Sequence, residues 1–289
     1  MPLPESLTAV DPGARREGFL VGAAVGAGLT ASPAGGGVMQ APPPGRRRAA
    51  TALADALLVE LTGGGVDLRR LAGRWIAWLQ HDGFEADPLL RAALDHLRDY
   101  DAPIAGLPSG SVAPLAAVLP AALASASPRA MIAGSFHVAR MLDPRESTAL
   151  AAMAIVVAAS TFLEGRRDFV PDVVAALRAN DASAVLLEAI RAIPRDPRAE
   201  PAQPLGATPE PVAVATWLLW VAHHRPRGVA ALRDLSQMSG VSPIVGAVLG
   251  ALLGARDGLD GWPAEWLDGA GDEVALRRSL ARRLGNSSS

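Results

Sequence analysis

The densest charge in the chain is Arg46-Arg47-Arg48, placed just after Pro42-Pro43-Pro44. Guanidinium groups hold phosphate and carboxylate oxygens through paired hydrogen bonds, so such a run beside a cleft is chemistry for anions. A second anion-favouring feature is the stretch Ser239-Gly240-Val241-Ser242-Pro243, in which Ser242 before Pro243 marks a helix start with its free backbone N–H groups. Catalytic alternatives are thinner. The five histidines are His81, His96, His137, His223 and His224, and none has the spacing of a metal-ligand pair. His223-His224, followed by Arg225-Pro226, reads as a helix end with its imidazoles against the helix dipole. Ser109-Gly110-Ser111 lacks the flanking glycines and preceding strand of a nucleophile elbow and reads as loop. Glu60, Glu164 and Glu188 stand alone on helical stretches and read as solvated. With no cysteine there is no thiolate nucleophile, thiolate metal site or disulfide framework.

Helices must position these groups. Asp87-Pro88, Ser127-Pro128, Asp143-Pro144, Thr208-Pro209 and Ser242-Pro243 each place a capping side chain before a proline at the first helical position. Glu146 three residues after Asp143 extends that signal to a capping-box variant. Leu53, Leu57, Leu58 and Leu61 share a helical face, as do Leu68, Leu71, Trp75 and Trp78, and Leu90, Leu94 and Leu97. Trp217 and Trp220 repeat the same spacing and read, like Trp75 and Trp78, as core. Thr148–Leu163 is apolar all round, as a central helix of a bundle would be. Loops are expected over 31–46, 63–65, 101–110 and 194–210.

Composition agrees. Half of the 289 residues are hydrophobic, chiefly Ala, Leu and Val, and only 4% are aromatic, a mix that suits helices packed closely together. All 27 basic residues are arginine, which matches a GC-rich coding sequence better than selection for anion contacts. A net charge of −2 and a pI near 6.2 give no footprint of a nucleic-acid-binding surface. Thr148–Leu163, the longest uncharged apolar stretch, has 16 residues against the roughly 20 that span a bilayer, so no membrane partner is expected. The start, Met1-Pro2-Leu3-Pro4-Glu5, has no basic segment followed by an apolar one. Together with the lack of cysteine, this points to the cytoplasm.

Several segments, read in order, resemble the ADP-ribosylglycohydrolase family. Arg16-Glu17-Gly18-Phe19-Leu20-Val21-Gly22-Ala23-Ala24-Val25-Gly26 is similar to its opening helix, GALLGLAVGDALG. Ala52–Leu58 resembles the helix after its Thr-Asp-Asp-Thr motif, Leu71–Trp78 its next helix, and Val112-Ala113-Pro114-Leu115 its MRVAPLG segment. Asp143-Pro144-Arg145 opens a long Ala-rich helix, as the family's Thr-His-x-Asp-Pro does. The most specific match is Gly246–Gly258 followed by Leu259–Trp266, which resembles AxxGALAGARYGLDAIPxxW. The resemblance implies an all-α fold of about 12–15 helices in one compact bundle over 15–285. A flexible stretch is expected over 1–14 and a disordered tail over 286–289.

Active members of the family hold two magnesium ions on two acidic motifs. The resemblance places the first about eight residues before Ala52, where this chain has Pro44-Gly45-Arg46-Arg47. No carboxylate occurs between Glu17 and Asp55. The second, Gly-Gly-Asp-x-Asp-Thr, falls on Ser239-Gly240-Val241-Ser242-Pro243-Ile244, and the Asp of GDALG on Ala27. A magnesium ion needs carboxylate oxygens and is repelled by guanidinium groups. The expectation is therefore a pseudoenzyme with no metal and no catalytic residues. Its emptied cleft, bordered by Arg46, Arg47, Arg48, Ser239, Gly240 and Ser242, would bind ADP-ribose or a related nucleotide, or a protein partner would bind the retained scaffold. The alternative is a residual hydrolase using carboxylates such as Asp143 or Asp257.

Overall fold

Short polar side chains ahead of prolines start many of the helices in the computed structural model, which describes residues 10–286 apart from 33–35, 102, 105, 107, 196, 199, 202 and 204–209. In chain order the helices are α1 (Pro12–Leu29), α2 (Ala49–Thr62), α3 (Leu68–His81), α4 (Pro88–Tyr100), α5 (Ala113–Ala117), α6 (Ala121–Ala124), α7 (Pro128–Leu142) and α8 (Glu146–Leu163). They continue with α9 (Val170–Ala179), α10 (Ala184–Ala192), α11 (Pro211–His224), α12 (Gly228–Gln237), α13 (Pro243–Asp257), α14 (Ala264–Gly269) and α15 (Asp272–Asn286). No strand occurs among the described residues, so the fold is the all-α bundle that the sequence implies. Asp87, Ser127 and Ser242 cap α4, α7 and α13 as expected, each accepting a backbone N–H.

The centre is an antiparallel pair, α1 against α13. Gly18, Gly22 and Gly26 on one helix face Gly254, Gly250 and Gly246 on the other. A Cβ on Gly22 would lie 2.2 Å from the carbonyl oxygen of Gly250, and one on Gly250 would lie 2.0 Å from that of Gly22. The two backbones therefore touch, and only a residue without a side chain permits this. Around the pair, α8 is buried on nearly all sides and packs against α7, α9, α11 and α13. It is the one helix among the described residues that is long and apolar enough to cross a membrane, and most of its surface is covered by the bundle. Trp75, Trp217 and Trp220 are core residues, and the Trp75 indole donates to the Leu53 carbonyl at 3.1 Å.

Some expectations need correction. The N-terminal helix begins at Pro12, capped by Asp11, so the ordered bundle starts before residue 15. At the other end α15 runs to Asn286, and 287–289 lie outside the described residues. Asp143 does not cap a helix from Pro144. It ends α7, and α8 starts at Glu146 after Arg145, because the buried Asp143 carboxylate is already held by Arg145 and by the Gly110 N–H. Glu60 is not solvated; its carboxylate is buried beneath Arg70 and Arg74 of the next helix, at 2.6 and 2.8 Å. Thr208-Pro209 lies outside the described residues, and α11 begins after Glu210.

Candidate functional site

The arginine run closes the loop that leads into α2, and each of its members has a different environment. Arg48 is the residue before the helix, but its side chain caps nothing. It turns inward and is 1% exposed, donating to the Glu85 carboxylate and to the Gln40 carbonyl. Arg46 is half exposed and grips Asp82, with Nε 2.8 Å from the carboxylate and Nη2 donating to the carbonyl at 2.8 Å. Arg47 donates its backbone N–H to the same carboxylate at 2.7 Å, while its half-exposed guanidinium reaches Asp55 at 3.4 Å. The clamp is the turn between α3 and α4. Gly83 at φ 54° and Glu85 at φ 61° bend it so that the Phe84 ring meets both Arg46 and Arg48, 5.3 and 5.9 Å from the ring centroid.

A second layer comes from the far end of the chain. Arg277 on α15 is 3% exposed and grips both oxygens of Asp55 on α2, with Glu273 3.7 Å away on its own helix. Burial alone would lower the Arg277 guanidinium, yet Asp55 and Glu273 hold it above its ordinary value. Burial pushes the Glu85 carboxyl up, and Arg48 draws it back only in part. Between these layers lies a cavity of about 530 Å³. Pro42–Pro44, Arg46, Arg47 and Asp55 line one side, and Gly271–Glu273, Leu276 and Arg277 the other.

The structure does not bring every expected residue to this cavity. Arg46 and Arg47 line it; Arg48 is buried outside its wall, engaged with Glu85; Ser239, Gly240 and Ser242 are not in its wall either. Ser239 and Gly240 form an exposed turn, with Gly240 at φ 75°, and the Ser242 hydroxyl accepts the Ile244 N–H at 3.2 Å. The segment before the arginine run ties down the end of α1. Gly37 donates to the Ser236 carbonyl, Gln40 to the Gly28 carbonyl, and Met39 packs against both Gly28 and Gly269.

Asp143 and Asp257 serve the fold. Burial raises the Asp143 carboxyl, but hydrogen bonds from Arg145 and from backbone N–H groups more than reverse this and hold it below the ordinary carboxylate range. Asp257 accepts both arms of Arg256 and the Gly228 N–H. His223 and His224 occupy the last turn of α11; burial, with His224 and Arg256 adding to it, pushes the His223 imidazole down. Sequence reasoning missed Asp55, Asp82, Glu85 and Arg277, the residues that fix the arginine run. The Asp272-Glu273 pair opening an Arg-rich last stretch was the available sign of α15.

Comparison with known proteins agrees with this helical order. The model of the ADP-ribosylglycohydrolase family matches residues 11–289. The chain belongs to the ADP-ribosylglycohydrolase family. A solved structure described as an ADP-ribosylglycohydrolase-related protein complex has the same fold, with a TM-score of 0.73 at 23% identity over 94% of this chain and 98% of that one. No curated protein sequence matches. For an ADP-ribosylglycohydrolase, a magnesium pair would be the expected resident, and the donor set around the start of α2 does not fit one. Asp55, Asp82, Glu85 and Glu273 each have a guanidinium nitrogen within 4 Å. Among the described residues no three acidic or histidine side chains converge as a metal cradle. A hard divalent ion needs several oxygen ligands free of such competition.

Proposed function

We propose that this chain is a catalytically inactive ADP-ribosylglycohydrolase that acts by binding a phosphate-bearing, nucleotide-like ligand in the cavity beside Arg46 and Arg47. The observation that carries the first half is the Arg48–Glu85 pair at the start of α2. A buried guanidinium stands directly after Pro44–Arg47, the stretch where the resemblance places the first acidic motif, and it satisfies a carboxylate internally. Magnesium-assisted hydrolysis needs the opposite arrangement, with free carboxylates holding a Lewis acid against the attacking water. Asp143 and Asp257, the remaining candidates for a residual hydrolase, are both engaged by arginines.

The second half rests on size and charge. A cavity of about 530 Å³ lies within the range that small ligands occupy, roughly 300–1,000 Å³. Arg46 and Arg47, 45% and 56% exposed, can turn toward a phosphate without stranding their partners, because Asp55 keeps both bonds from Arg277 and Asp82 keeps the Arg47 backbone N–H. A cytoplasmic site of action fits a chain of 289 residues without cysteine. The test is a calorimetric titration with ADP-ribose, with and without magnesium. Magnesium-independent binding weakened by Arg46→Ala and Arg47→Ala is expected. Binding that requires magnesium contradicts the inactive reading, and an absence of heat turns the assignment to a protein partner.

A further inference from the structure

We propose a second ligand site, at the end of the α1–α13 pair where α1 begins and α13 stops, that takes a small dianionic ligand such as a phosphate monoester. It is a cavity of about 480 Å³ where the chain turns into α12 and where it leaves α13. Its wall carries Arg167, Arg227 and Arg233, with Asp257, Asp260 and Trp262. Helix α13 spans 15 residues, about 20 Å at 1.5 Å per residue. This cavity at its end is therefore remote from Ser242 at its start, and its wall shares no residue with that of the first cavity.

Charge selects the ligand. Most arginines near the first cavity are occupied by carboxylates, whereas among the described residues neither Arg227 nor Arg233 forms an ion pair, and Arg233 lies over the Trp266 ring at 5.8 Å. Arg167 is 48% exposed and only loosely engaged, 3.7 Å from Asp257. The Asp257 carboxylate is already matched by the buried Arg256 behind it. Counting Arg256 and Arg15, which lies within electrostatic reach of Arg167 and Asp257, five guanidinium groups meet two carboxylates, and a positive excess remains. A phosphate monoester carries close to two negative charges at neutral pH, and its oxygens suit several guanidinium forks at once.

The wall is built beforehand. Asp257 accepts the Gly228 N–H at 3.2 Å and fixes the first turn of α12 against the last turn of α13. A Cβ on Gly228 would lie 3.1 Å from that carboxylate and 3.1 Å from the Leu253 Cβ, so the close approach depends on glycine. Trp262, 7% exposed, closes the far side and donates its backbone N–H to the Leu259 carbonyl. Only the arginine heads need move on binding, which keeps the entropic cost low.

Titration calorimetry with phenyl phosphate tests the site, with phenylacetate and citrate as carboxylate arms, on the parent chain and on two double variants. Saturable phenyl phosphate binding is expected in the parent. One saturable phase should weaken at least about tenfold in Arg227→Ala/Arg233→Ala, since two charge-assisted contacts are lost, and the same phase should survive in Arg46→Ala/Arg47→Ala, which removes only binding at the first cavity. Both arginines are exposed, and circular dichroism checks that each variant is folded. Absence of saturable phenyl phosphate binding, equal affinity in the Arg227/Arg233 variant, or tighter binding of either carboxylate would overturn the proposal. Loss in the Arg46/Arg47 variant alone would assign the ligand to the first cavity and overturn it as well.

Discussion

Replacing Arg277 by Ala should be among the most damaging single changes to the bundle, and the reason can be worked through. The guanidinium is 3% exposed and donates to both oxygens of Asp55, with Glu273 close by. Its removal leaves two carboxylates facing each other at a largely covered position, with the Arg47 contact at 3.4 Å as the residual cation for Asp55. Breaking one side of a buried pair costs about 3–5 kcal/mol, much of it the uncompensated charge. With a urea slope of about 3 kcal/mol/M for a chain of this size, the midpoint should fall by about 1–1.7 M. The decisive variant is Arg277→Leu with Asp55→Leu. Exchanging both partners for apolar side chains removes the Asp55 charge and leaves Glu273 as the one carboxylate without its cation, and such exchanges are often neutral or stabilising. The pair of variants should therefore recover most of the lost midpoint. A single-variant loss below about 1 kcal/mol, or a double variant no more stable than Arg277→Ala, would refute the view that this buried ion pair holds α15 to α2.

Gly250→Ala drives a Cβ to within 2.0 Å of the Gly22 carbonyl oxygen. Thermal melts should show about 2–3 kcal/mol of destabilisation, the upper part of the usual cost of overpacking, because the atom met is backbone and not a flexible side chain. In the same assay Gly73→Ala should stabilise by about 0.5–1 kcal/mol, because Gly73 is an exposed helical residue with open space around it. Burial raises the Glu60 carboxyl, but Arg74 and Arg70 more than reverse this and hold it below its ordinary value. A lowered folded-state value gives stability that is complete above the ordinary carboxylate range and lost as pH falls through the lowered one. The urea-midpoint gap between the parent and Glu60→Gln should thus be full at pH 7 and close below about pH 4. A gap that widened on acidification would contradict the assignment of Arg70 and Arg74 as the partners of Glu60.

The fold was readable because its helix starts are local. Asp87, Ser127 and Ser242 announce α4, α7 and α13 through one side chain and the proline beside it. Asp11-Pro12 carries the same signal for α1, and an earlier domain start follows once it is counted. Asp143-Pro144 looks alike in sequence, but the partners that decide its role are Arg145 and the Gly110 N–H, the latter 33 residues away. The site was harder because its bonds are long-range. Asp55 and Arg277 are 222 residues apart, Arg48 and Glu85 are 37 apart, and neither separation has a pattern that periodicity or composition detects. The arginine run was visible as charge. That Arg48 is consumed inside the protein while Arg46 and Arg47 face a cavity depends on the turn at Gly83–Glu85, whose left-handed Glu85 no local rule foretells.

The most direct test of the inactive reading is release of ADP-ribose from an ADP-ribosylated arginine substrate, followed by chromatography over a magnesium series. The prediction is release at the buffer rate at every magnesium concentration. Release above buffer that rises and saturates with magnesium would contradict it, since the guanidinium-occupied carboxylates at Asp55, Asp82 and Glu85 would then have to yield to the metal.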